Sequence, residues 1–126
     1  MSEMIANLEQ KFSKLVRSYQ KDRYGKGPQI IKVNFSRNWA ITQMSGCLTS
    51  VELFIAQTDK GYDTIRKART LMMTEQFNEL PPNELEEVVG GKYVKIFTDI
   101  DIENDEVVSI FVFNQPIDGT DKMYAF

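Results

Sequence analysis

The chain has 126 residues and a mass of 14.5 kDa, enough for one cooperative core and too little for two. It contains no histidine and a single cysteine, Cys47, which excludes imidazole zinc sites, Ser-His-Asp and Cys-His nucleophile pairs, histidine proton shuttles and an internal disulfide. A pI near 5.0 argues against a dedicated nucleic-acid binder, and no apolar run approaches the roughly 20 residues of a membrane span.

The first predicted element is an amphipathic helix from about Glu3 to Lys21, with Ile5, Leu8, Phe12, Leu15, Val16 and Tyr19 at helical spacing. Gly25-Lys26-Gly27-Pro28 is its stop signal. Ile31, Val33 and Phe35 then alternate with Lys32 and Asn34, and Ser36-Arg37-Asn38 connects this strand to a second, Trp39 to Ser45, as a hairpin. At the junction Gly46 to Glu52 the pattern switches from strand to helix, and Thr49 with Glu52 has capping-box spacing.

A short helix is expected from Val51 to Gln57, broken by Asp59-Lys60-Gly61. A longer helix follows with Tyr62, Ile65, Ala68, Leu71 or Met72, and Phe77 facing inward, ended by Pro81-Pro82. Asn83 is expected to cap a brief helix through Val89, stopped by Gly90-Gly91. Lys92 to Asp101 and Val107 to Asn114 read as a second hairpin around the polar turn 102–105. The fold class is therefore α+β: a four-stranded antiparallel sheet from two hairpins with helices packed on one face, a two-layer sandwich. The chain reads as one domain over 1–126, its core about 3–114 and its tail 115–126 containing Met123, Tyr124 and Phe126.

Charge is unevenly spread. Residues 1–37 hold eight Lys/Arg against three acids, a net +5, and residues 75–126 hold twelve acids against three lysines, a net −9. Such faces steer partners of opposite sign, or attract each other within the fold or across a dimer. Gly25-Lys26-Gly27 could form a backbone nest for an anion, or simply a turn. Arg66 and Arg69, three apart on the long helix, are expected on one face, where they pair with surface acids or hold a carboxylate, carbonate or phosphate. Asp99, Asp101, Glu103 and Asp105 alternate as in a calcium loop, but Asn104 and Ile110 occupy the positions that require glycine and glutamate. A looser metal site at Asp99 and Asp101, or plain solvated carboxylates, are the readings left. Cys47 reads as a small buried residue at a strand end. Trp39, Phe35, Phe97, Phe111 and Phe113 crowd both faces of the sheet, so a homodimer is expected to cover the face without helices.

Taken in order, Tyr24-Gly25-Lys26-Gly27-Pro28, Leu48-Thr49-Ser50-Val51-Glu52, Arg66-Lys67-Ala68-Arg69, the stretch from Val94 to Asp101 and Ile110-Phe111-Val112-Phe113 resemble the bacterial MpsC-like family over about residues 3–114. That family is named for a sodium-translocating, membrane-potential-generating system. The resemblance implies a soluble accessory protein associated with a membrane system for cation or inorganic-carbon uptake, and no established active site. The matching positions are Gly25, Gly27, Pro28, Leu48, Thr49, Glu52, Arg69, Asp99 and Asp101; Ser50 stands where family members commonly have proline, which leaves the cap intact.

The leading expectation is a non-catalytic accessory or regulatory protein with no cofactor, acting as a homodimer with a membrane-transport partner. It would bind no nucleic acid, insert in no membrane, and work in the cytoplasm or peripheral to the inner face of the membrane. A homodimeric sensor of a small anion, held by Lys26, Arg66 and Arg69, is the alternative. An enzyme using Asp99, Asp101 or Tyr24 is the weakest reading, because these groups lack an evident partner.

Overall fold

The computed structural model describes residues 2–79 and 82–117; Pro81 and the tail residues Met123, Tyr124 and Phe126 lie outside them. Eight elements follow one another: α1 (Ser2–Tyr24), β1 (Ile30–Ser36), β2 (Trp39–Ser45), α2 (Ser50–Ile55), α3 (Asp59–Glu79), α4 (Asn83–Val89), β3 (Tyr93–Asp101) and β4 (Glu106–Phe113). Gly25 at φ 79° and Gly90 at φ 73° end α1 and α4 in the left-handed conformation that the sequence led one to expect. The β1–β2 turn is tight, with Ser36 opposite Trp39.

The two hairpins merge through their second strands. The sheet order is β1-β2-β4-β3, antiparallel throughout, with Ile41 opposite Ile110 at the join. Alternation then sorts the side chains: Val33, Ala40, Met44, Ile96, Val107 and Phe111 are buried on the side facing the helices. Phe12 of α1 meets Phe35, Phe111 and Phe113 edge-on at centroid distances of 5.6, 5.4 and 6.3 Å, and Phe77 of α3 meets Phe111 at 5.1 Å. Each such pair adds about 0.5–1.5 kcal/mol beyond burial. A polar row crosses the same side: Thr42 donates to the Ser109 carbonyl at 3.0 Å, and the Ser109 and Thr98 hydroxyls bond at 2.9 Å beneath Met73. Because a one-residue slip would turn these hydroxyls outward, the row pins the register.

Both sheet edges are blunted. Glu9 of α1 accepts the Phe35 N–H at 2.8 Å beside β1. On β3 an irregularity between Tyr93 and Lys95 bends the edge, and Asp99 accepts the Ile100 N–H at 2.9 Å.

Three details differ from expectation. Along α3 the buried residues are Ile65, Arg69, Met73 and Phe77, whereas Ala68, Leu71 and Met72 are exposed; the inward stripe steps by four and places a charge in the row. Pro82, not Asn83, is the N-cap of α4, with no side-chain cap bond. Helix α2 ends at Ile55 and buries none of its residues.

Candidate docking site

The junction between β2 and α2 is held from four directions. Thr49 and Glu52 form the capping box: the Glu52 N–H donates to Thr49 Oγ1 at 3.2 Å, and the Thr49 N–H donates to Glu52 Oε1 at 3.0 Å. The same carboxylate receives a fork from Arg69 on α3, with Nε to Oε2 and Nη2 to Oε1 both at 2.6 Å. Arg69 also donates to the Cys47 carbonyl at 3.0 Å and lies 3.8 Å above the Tyr24 ring at the end of α1. Lys26 donates to the Leu48 carbonyl at 3.0 Å. From the β3–β4 turn, Asp105 Oδ1 accepts the Cys47 and Leu48 N–H groups at 2.9 and 3.0 Å, and its carbonyl accepts the Gly46 N–H at 3.0 Å.

Burial decides the electrostatics here. The Arg69 side chain is only 6% exposed and Glu52 19%. Burial alone would push the Glu52 carboxyl up, but the Arg69 hydrogen bonds, the Thr49 amide and the Arg69 charge together hold it below the usual value. Burial would lower Arg69, and its bonds to Glu52 outweigh that and raise it. The Cys47 thiol is pushed up to about 11, by burial first and then by Asp105, so it stays a protonated, inert group. Burial likewise raises the Tyr24 phenol against the opposing pull of Arg69 and Arg23.

What this framework presents is apolar. Val51 and Phe54 on α2 are 65% and 71% exposed, and Leu53 and Ile55 also face solvent. Leaving Val51 and Phe54 in water forgoes on the order of 1–2 kcal/mol of burial each. The helix is fixed at its far end as well, because a Cβ at Gly61 would stand 1.7 Å from the Ile55 carbonyl oxygen. A rigid helical turn with outward Val, Leu, Phe and Ile has the composition of an interface anchor. The open side of the sheet is the second apolar surface, with Trp39, Phe97 and Val108 exposed.

The residues singled out for an anion fall in two places. Lys26 and Arg69 converge on the junction, where their donors meet the Leu48 and Cys47 carbonyls and Glu52. Arg66 leans the other way and pairs with Asp99 at 3.2 Å on an exposed edge, so the two arginines do not share a face. Gly25 donates to the Lys21 carbonyl, Gly27 lies against Arg17, and the buried Pro28 offers its carbonyl to Arg17 at 2.6 Å. Asp101 accepts from the Asn104 amide and side chain. Among the described residues no three or more Cys, Asp or Glu side chains are grouped to hold a metal ion.

Two features of the site were not legible beforehand. Asp105 belongs to the alternating acids that resemble a calcium loop, yet it ties the second hairpin to the junction. Its position directly after Asn104, at a turn demanding φ 51°, was the available signal. The outward aim of α2 had none, since an apolar run reads as core until the neighbouring layers are known.

Known proteins bear on this arrangement in three ways. The family described as "Na+-translocating membrane potential-generating system (MpsC)" matches residues 5–115. The uncharacterized protein YrhF of Bacillus subtilis (strain 168) is 37% identical over 107 residues, covering 85% of this chain and 88% of its own length. The uncharacterized protein YbcI of the same organism is 24% identical over 111 residues, covering 88% and 89%. No solved structure matches. With a relative this similar and a family match from the first helix to the end of the last strand, the chain belongs to the MpsC family.

Proposed function

We propose that this protein is a non-catalytic accessory subunit that docks onto a membrane component of a cation-translocating, membrane-potential-generating system, from the cytoplasmic side and as a homodimer. The observation that carries the reading is the apolar turn of α2, exposed yet locked by the capping box, the Arg69 fork and Gly61. The energy of the junction goes into holding a shape; its charged groups are satisfied by one another, and its thiol is pushed up to about 11. Among the described residues no helix is long and apolar enough to cross a membrane, so in this reading the translocating path belongs to other chains. The name of the family supports the membrane system.

The test compares membrane potential, read with a voltage-sensitive dye, in cells carrying the wild type, a deletion, or Leu53→Asp with Phe54→Glu. Both side chains are exposed, so the double variant folds normally. Expected is that it copies the deletion's loss of potential and no longer copurifies with its membrane partner. Normal potential in the deletion strain refutes the reading.

A further inference from the structure

We infer that two copies of this chain join face to face through the open side of the sheet, about a two-fold axis running along the strands. This rests on the homodimer reading above and names its surface and geometry. Strand register places Trp39, Ile41, Val108, Ile110, Val112 and Phe97 side by side on this face. Phe97 is 50% exposed, Val108 43% and Trp39 41%. Around them the rim is polar, with Asn34 and Ser36 on β1 and Lys95 on β3, the last carrying its ammonium 5.0 Å from the Phe97 ring. An apolar centre inside a polar rim is the anatomy of a protein interface.

The charges identify the occupant and the axis. One row across the face reads Lys32, Gln43, Val108, Asp99 from the β1 edge to the β3 edge. A two-fold axis parallel to the strands lays β1 of one copy over β3 of the other within the same row. Both bonds that Asp99 makes in its own copy, from Arg66 and from the Ile100 N–H, fall on Oδ1, and its side chain is 74% exposed; Lys32 then meets Oδ2 of the partner's Asp99, and Asp99 meets the partner's Lys32, so the contact is self-complementary. At the centre Ile41 covers the partner's Ile110, and Trp39 stands over the partner's Val112, a residue already buried within its own copy. An axis perpendicular to the strands would lay β1 on β1, where Lys32 finds no acid, because the other outward residues there are Ile30, Asn34 and Ser36. Sheets packed face to face keep their strands within about 30° of each other, which preserves these central pairings.

Four strands at about 4.8 Å spacing, each about 25 Å long, make a face of roughly 480 Å² in projection. About 800 Å² of accessible surface per partner is standard for a stable complex, so this smaller face makes a weak dimer.

Sedimentation equilibrium on the full chain between about 1 and 500 μM tests this. The wild type should pass from the monomer to the dimer mass, and Phe97→Glu should stay monomeric. Lys32→Asp and Asp99→Lys, both at exposed positions, should each weaken the dimer at least tenfold, since each sets like charges against each other twice; Asp99→Lys also removes the partner of Arg66 within its own copy, so both are checked for folding by circular dichroism and Arg66→Ala, which breaks that pair alone, should leave the dimer intact. Mixed in equal amounts, Lys32→Asp and Asp99→Lys should regain the wild-type dimer, because every 32–99 contact is then opposite in sign. A wild-type chain that is monomeric throughout overturns both this inference and the homodimer reading. A dimer insensitive to Phe97→Glu, or a mixture that fails to recover, overturns the proposed face alone.

Discussion

Arg69→Ala removes the central tie of the junction, and its cost follows from the geometry. The substitution leaves the Glu52 carboxylate, 19% exposed, without its fork of two 2.6 Å bonds. It also leaves the Cys47 carbonyl without a donor and the Tyr24 ring uncovered. Breaking a buried pair from one side costs about 3–5 kcal/mol, a large share of the roughly 5–15 kcal/mol that holds a domain folded. At about 4 °C per kcal/mol for a chain of this size, the melting temperature should drop by roughly 12–20 °C. Glu52→Gln with Arg69→Met should recover at least half of that loss, since no charge is then stranded. Urea unfolding of the two singles and the double, closed as a thermodynamic cycle, measures the coupling. The pH profile is a second reading: a carboxyl held below its unfolded value contributes stability that is present above that value and lost as the pH falls through the folded one. Below pH 4.5, the ordinary value for Glu52, the wild type should therefore lose stability more steeply than Glu52→Gln. Arg69 is shifted upward, so its share is complete below its ordinary, strongly basic value and is lost only above it, outside the working range. A loss under 1 kcal/mol for Arg69→Ala, or a double variant as unstable as the sum of its singles, would refute the reasoning.

Two further expectations test the same framework from other sides. Gly61→Ala should destabilise by about 1–3 kcal/mol, although alanine is the better helix former by about 1 kcal/mol, because the new methyl carbon would stand 1.7 Å from the Ile55 carbonyl oxygen; calorimetry that finds stabilisation would show that α2 is not wedged against α3. Cys47, with its thiol pushed up to about 11 by burial and Asp105, should react with a thiol reagent at pH 8 only at the rate of global unfolding, and fast labelling of the native protein would contradict the closed junction.

The local elements were legible because each carries its own period. Phe12, Val16 and their neighbours mark α1, the alternating Ile31, Val33 and Phe35 mark β1, and Thr49 with Glu52 announces the start of α2. The error on α3 came from weighing residue type over spacing. Ile65, Met73 and Phe77 already define a row stepping by four, and position 69 lies within it, but an arginine is read as surface unless its counter-charge is known. That counter-charge, Glu52, lies seventeen residues away, and only the tertiary fold brings it in. The strand order was equally hidden, since two hairpins can join by any of their edges.

Strand order is what turns an unremarkable charge asymmetry into a geometric statement. With β2 and β4 at the centre, Lys32 lies on the β1 edge and Asp99 and Asp101 lie on the opposite edge, β3, whereas the acids of α4, Glu84, Glu86 and Glu87, sit on a helix that packs against the basic α1. Three strand spacings, about 14 Å, separate the two edges, beyond a Debye length of about 8 Å at physiological salt, so within one copy the exposed charges at the two edges scarcely compensate each other. Rotation of a second copy about an axis along the strands carries each edge onto its opposite. The Lys32 to Asp99 row and the apolar centre of the open face thus call for the same partner, and rising salt should weaken the dimer without unfolding the chain.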